Sequence, residues 1–164
     1  DERGYFAETF RQSLLTEMGV NHGFVQDNVA MSAEAGVVRG LHFQAPPMAQ
    51  AKLIQVLDGE IFDVAVDLRR SSSTFGRHVS FRLSAETGAQ AYIPVGFAHG
   101  YCTLTPRSRV AYKVSEYYSP AHEGGLLWSD TMLDVDWPIA PNMAILSPRD
   151  RLWPGLETLE SPFA

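Results

Sequence analysis

The sequence predicts an all-β fold, a barrel or sandwich with a few short peripheral helices, formed as one domain over residues 1–164. Two observations predict it. From Gly36 to Tyr118 the chain is a series of short apolar, β-branched runs broken by Gly, Pro, Asp and Ser, which is the texture of many closely spaced strands. The best helical stretch, by contrast, is short and lies outside that region. At 164 residues the chain is long enough to enclose a core and a pocket within it.

Taken in order, Thr9 to Met18 reads as an amphipathic helix: Phe10, Leu14, Leu15 and Met18 recur at helical spacing and Gly19 follows as a stop. Lys52 to Leu68 reads as a pair of strands around a tight hairpin turn at Asp58-Gly59. Further strands are expected near Val79 to Leu83, Ala91 to Pro94 and Arg109 to Tyr118. Beyond Tyr118 the chain is rich in Pro, Asp and Trp, and Trp128, Trp137 and Trp153 are expected to clamp irregular segments onto the barrel.

Composition removes several function classes. No apolar run is long enough to cross a bilayer, so no membrane insertion is expected. A formal net charge of −6 disfavours nucleic acid as a partner, since nonspecific binding needs a basic surface to displace phosphate counterions. Cys102 is the single cysteine, so no internal disulfide can form, and no charged-then-apolar leader is visible; both suit a reducing cytoplasm.

Polar residues on inward-looking strand faces carry the functional signal, because burying one without a partner costs about 1–3 kcal/mol. In Val38 to Gln44, alternation puts Val38, Gly40, His42 and Gln44 on one face. Lys52 shares a face with Ile54 and Val56, Asp63 with Ile61 and Ala65, and Tyr112 with Val110 and Val114, while His99 ends the turn Pro94 to His99. A lone buried His or Tyr is usually a satisfied core residue, but Lys is almost never buried without a partner. Lys52 therefore favours a pocket over a packed core, although snorkelling at an edge would also account for it.

Spacing sharpens this. Gly36, His42, Lys52 and Gly59 fall in the register of the first cupin motif, and Gly88, Pro94, Gly96 and His99 in that of the second. Gln44 stands where metal-binding cupins have a second His, and Lys52 where they have a Glu. A protonated Lys cannot join a ligand set, so no metal is expected, and an ammonium stands where the Lewis acid would be.

The stretches Asp1 to Gly4, Phe24 to Asn28, Arg39 to Gln44, Phe62 to Asp67, Ile93 to Gly100, Tyr112-Lys113 and Tyr117 to Pro120 together closely resemble the dTDP-4-dehydrorhamnose 3,5-epimerase family. The resemblance runs over nearly the whole chain. It implies a homodimer of cupin-type jelly-roll barrels acting on a dTDP-linked 4-keto-6-deoxy sugar, with no metal or redox cofactor. The ketone at C4 acidifies the hydrogens on C3 and C5, so each carbon can be deprotonated to an enolate and reprotonated from the other face.

By the same resemblance His42 is the base, Asp150 orients its ring and Tyr112 is the proton donor on the opposite face. Lys52 is assigned to the enolate oxygen by position and charge. His99, partnered by Asp63, is placed near the sugar oxygens. Arg3, Phe6, Glu8, Gln26, Asn28, Arg39, Glu123 and Arg149 are implied around the nucleotide sugar, the guanidinium groups on the diphosphate, with Tyr117 stacking on thymine. Some of these residues can reach across a dimer interface. Three other readings stay open: a mono-epimerase acting at C3 or C5 alone, a metal-dependent cupin using His42, His99 and Asp63, and a non-catalytic sugar-nucleotide binding module.

Overall fold

A computed structural model describes residues 1–164 as two antiparallel sheets with almost no helix. One sheet has four strands in the order β1 (Gln26–Ser32), β8 (Ser108–Val114), β3 (Lys52–Asp58), β6 (Gln90–Ile93). The other has five, in the order β5 (His78–Ser84), β4 (Glu60–Asp67), β7 (Phe97–Thr103), β2 (Val38–Gln44), β9 (Glu123–Gly125). The sheets face each other across a core in which Ile54, Val56, Ile93 and Val110 of the first meet Ile61, Ala65, Leu83 and Tyr101 of the second.

Strands β4 and β7 of the five-stranded sheet are buried on both faces. In β4, Ile61 and Ala65 turn toward the opposite sheet, while Val64 and Val66 pack outward with Leu41, Phe43 and Ala98 beneath Leu126, Leu133 and Phe163 of the C-terminal segment. A strand covered on both sides has little polar alternation to keep, which is why this stretch reads as a nearly continuous apolar run. Trp128 and Trp137 help hold that segment down: their rings meet edge to face with centroids 5.5 Å apart, and Trp137 Nε1 donates to the Trp128 carbonyl at 2.8 Å. The outer face of the four-stranded sheet is different, for Val29, Met31 and Leu57 on it are exposed.

Several expectations need correction. Asp58-Gly59 is a turn, but it joins β3 to a strand of the other sheet rather than closing a hairpin. Gly59 supplies the positive φ of 79° this corner uses, and a Cβ there would collide with Thr105 and Ser108. Alternation along β2 breaks at a register irregularity between Arg39 and His42. Val38 therefore packs with Cys102 and Trp128, whereas Arg39 and His42 both reach the pocket. His99 lies within β7 rather than at the end of a turn. The last strand of the four-stranded sheet stops at Val114, and the helix α1 is reduced to Gln12–Glu17, with no side-chain cap and no buried residue.

Candidate active site

A pocket of about 470 Å³ opens between the sheets. The four-stranded sheet lines it with Gln26, Asn28, Lys52 and Tyr112, and the five-stranded sheet with Arg39, His42, His99 and Glu123. The 3-10 turn Arg149–Arg151 adds Arg149 and Asp150.

His42 sits on β2 with its Nε2 2.5 Å from Asp150 Oδ1. Asp150 is held from three sides. Its backbone N–H donates to Ser147 Oγ at 3.1 Å, Trp153 Nε1 donates to its Oδ1 at 3.3 Å, and its side chain is buried. Burial by itself would raise this carboxyl; the hydrogen bond and charge of His42, with Ser147 and Trp153, outweigh it and leave Asp150 below the usual carboxylate range. The indole of Trp153 lies close enough against β9 that a Cβ on Gly125 would collide with it. Trp153 thus belongs to the site rather than acting only as a clamp.

Lys52 enters the pocket at the start of β3, where its Nζ donates to the His42 carbonyl at 3.2 Å. Burial lowers its pKa to about 8 against the attraction of Asp63 and Glu123, so at neutral pH it remains mostly an ammonium. Tyr112 projects from β8 on the opposite wall to His42, and burial raises its pKa, which keeps the phenol protonated. Deeper in, His99 Nε2 meets both oxygens of the fully buried Asp63 at 3.0 and 2.9 Å.

At the mouth, Arg149 Nη1 donates to Glu123 Oε2 at 2.5 Å, and Tyr118 Oη donates to the same oxygen at 2.9 Å. Arg39 Nε donates to Ser32 Oγ at 3.1 Å, and Gln26 Nε2 donates to Asn28 Oδ1 at 2.9 Å. Gln44, which stands at the position of a cupin metal ligand, braces the loops instead. Its amide donates to the carbonyls of Met48 and Tyr117 and accepts from the Ser119 N–H. No group of three His, Cys, Asp or Glu is assembled that could hold a metal ion.

The chain's own fold does not bring every expected residue here. Arg3 pairs with Asp1 and Glu8 with Arg11, and Phe6 is almost wholly exposed, all on an extended N-terminal arm away from the pocket. Tyr117 is exposed at the rim, whereas its neighbour Tyr118 lines the cavity. Sequence reasoning missed Tyr118, Ser147 and Trp153. Of these only Ser147 carries a local signal, the Ser-Pro-Arg-Asp order in which a hydroxyl caps the turn that presents Asp150.

What is assembled is a carboxylate-oriented imidazole facing a phenol across an ammonium, inside a cupin barrel, and the class it defines is an isomerase that moves protons at carbon. The family model for dTDP-4-dehydrorhamnose 3,5-epimerase matches residues 1–158. The dTDP-4-dehydrorhamnose 3,5-epimerase of Sinorhizobium fredii is 45% identical over 99% of this chain and 83% of its own. The crystal structure of the Bacillus anthracis dTDP-4-dehydrorhamnose 3,5-epimerase with TDP and PPi bound superposes with a TM-score of 0.91 at 52% identity, covering 94% of this chain and 87% of that one. That of the Legionella pneumophila dTDP-6-deoxy-D-glucose-3,5-epimerase in complex with dTDP-4-keto-L-rhamnose gives 0.92 at 43%, covering 98% and 84%. The chain belongs to the dTDP-4-dehydrorhamnose 3,5-epimerase family and is an isomerase of that type.

Proposed function

We propose that the chain inverts both C3 and C5 of a dTDP-linked 4-keto-6-deoxyhexose, with His42 as base, Tyr112 as acid and Lys52 on the enolate oxygen. The observation that carries this is that the His42–Asp150 pair and Tyr112 stand on opposite walls of one pocket. Inversion requires a proton to leave one face of the sugar ring and return to the other, so base and acid must flank it. Asp150 fixes which His42 nitrogen is free to take the proton. Lys52 supplies the fixed positive charge that an enolate at C4 needs, with no reorganisation at the moment of reaction. His99, polarised by Asp63, bonds sugar oxygens deeper in the cavity.

Arg39 and Arg149 at the mouth bind the diphosphate, and Gln26, Asn28 and Glu123 complete the nucleotide-sugar site. We assign the thymine to the rim beside Tyr117. Arg3, Phe6 and Glu8 join the site from the partner subunit of a homodimer, an assignment supported by the exposed arm and by the exposed apolar face of the four-stranded sheet. A reducing cytoplasm is the setting we assign, in keeping with the single buried thiol of Cys102. Incubation with dTDP-4-keto-6-deoxyglucose should give dTDP-4-dehydrorhamnose, read from the stereochemistry at C3 and C5 by NMR. A product inverted at one carbon would establish the mono-epimerase instead, and unchanged sugar would refute both.

A further inference from the structure

Tyr101 lies on β7, two residues beyond His99 and on the same face. Its ring is only 5% exposed, packed in the core between the sheets and tilted toward His99 with centroids 6.5 Å apart. The residue lines the pocket, and its Oη is the one buried side-chain nitrogen or oxygen in the protein that makes no hydrogen bond. Of the polar groups around it, Asp63 holds His99, and Ser32 Oγ accepts from Arg39 and acts on the phenol without reaching it in hydrogen-bond geometry. A phenylalanine would fill the same apolar space without an unsatisfied hydroxyl, so the oxygen costs stability unless something in the pocket bonds it.

We propose that Tyr101 is a further substrate-binding residue whose Oη hydrogen-bonds a ring hydroxyl of the hexose. The proposal rests on the sugar-nucleotide reading of the pocket given above. Burial pushes the Tyr101 pKa up to about 12, so the group is a neutral phenol that can donate and accept at once, as a sugar hydroxyl does. A phosphate would instead select the guanidinium groups at the mouth. Asp63, Tyr112 and Arg39 are the charged or titratable groups that act on the phenol, and two of these belong to the reacting end of the pocket rather than to the nucleotide end. A site built to bond a hydroxyl rejects sugars that lack it, because the phenol would then stay unpaired.

The test is Tyr101→Phe, compared with the wild type by calorimetric titration with dTDP-6-deoxyglucose, which lacks the ketone and cannot react, and with dTDP alone. Affinity for dTDP-6-deoxyglucose should fall about tenfold or more. Affinity for dTDP should be unchanged, and the melting temperature of the free protein should not drop. Equal affinity of both proteins for dTDP-6-deoxyglucose would overturn the proposal, and a lowered melting temperature with unchanged affinity would do so by assigning the hydroxyl to an internal water. Wild-type turnover of dTDP-4-keto-6-deoxyglucose is followed alongside. A wild type that binds the unreactive sugar but does not epimerise defeats the proposed function, while the Tyr101 comparison still gives its answer.

Discussion

Lys52 carries the sharpest consequence of any single side chain. Its ammonium is half-buried between the walls that carry Tyr112 and His42, with the His42 carbonyl as its one direct acceptor. Burial lowers its pKa to about 8, and Asp63 and Glu123 keep it from falling further. In the role proposed for it the charged form stabilises the enolate, so activity should be lost as pH rises through that value. The kcat/KM profile, which reports the free enzyme, should therefore show an alkaline limb near pH 8. Lys52→Ala should cut turnover about a hundred- to a thousandfold and remove that limb. A mild effect on binding alone would mark Lys52 as structural.

At the scale of elements, the corner after β4 shows how a polar group is made safe inside a β fold. Asp67 is buried at the strand end and accepts from Arg69 Nε and Nη2, Ser72 Oγ and Thr74 Oγ1. The Arg69 hydrogen bond foremost, against the cost of burial, holds its carboxyl well below the usual range. A depressed folded-state pKa stabilises at pH values above the unfolded value of about 3.9, and that contribution fades as pH falls toward the folded one. Asp67→Ala should cost about 2–3 kcal/mol at neutral pH and flatten the fall of melting temperature below about pH 4, as calorimetry across pH would show.

The inner faces of β3, β4 and β8 were legible because Lys52, Asp63 and Tyr112 interrupt otherwise apolar alternation. β1 was not: its polar Gln26 and Asn28 face the pocket while Val29 and Met31 face out, which inverts the usual pattern. Turn chemistry at Asp58-Gly59 marked a reversal but could not say which sheet the chain enters next. In β2 the irregularity after Arg39 moves the guanidinium to the pocket side, a shift that strict period-two reading cannot see.

Taken as a whole, the molecule is finished on one side and open on the other. The C-terminal segment covers the outer face of the five-stranded sheet, whereas Val29, Met31 and Leu57 on the other sheet and Tyr5, Phe6, Leu14 and Met18 on the arm and helix stay exposed. A second copy is the occupant proposed for that surface, so sedimentation should give twice the 18.2 kDa of one chain, and a purely monomeric active protein would exclude a shared site. The central claim is that His42 removes the protons next to the ketone. Its most direct test is turnover of dTDP-4-keto-6-deoxyglucose in deuterated water, followed by NMR for the wild type and for His42→Asn. The wild type should place deuterium at C3 and C5 with both centres inverted, and His42→Asn should leave both hydrogens in place while remaining folded. Exchange by His42→Asn at the wild-type rate would contradict the account and return the base to another residue of the pocket.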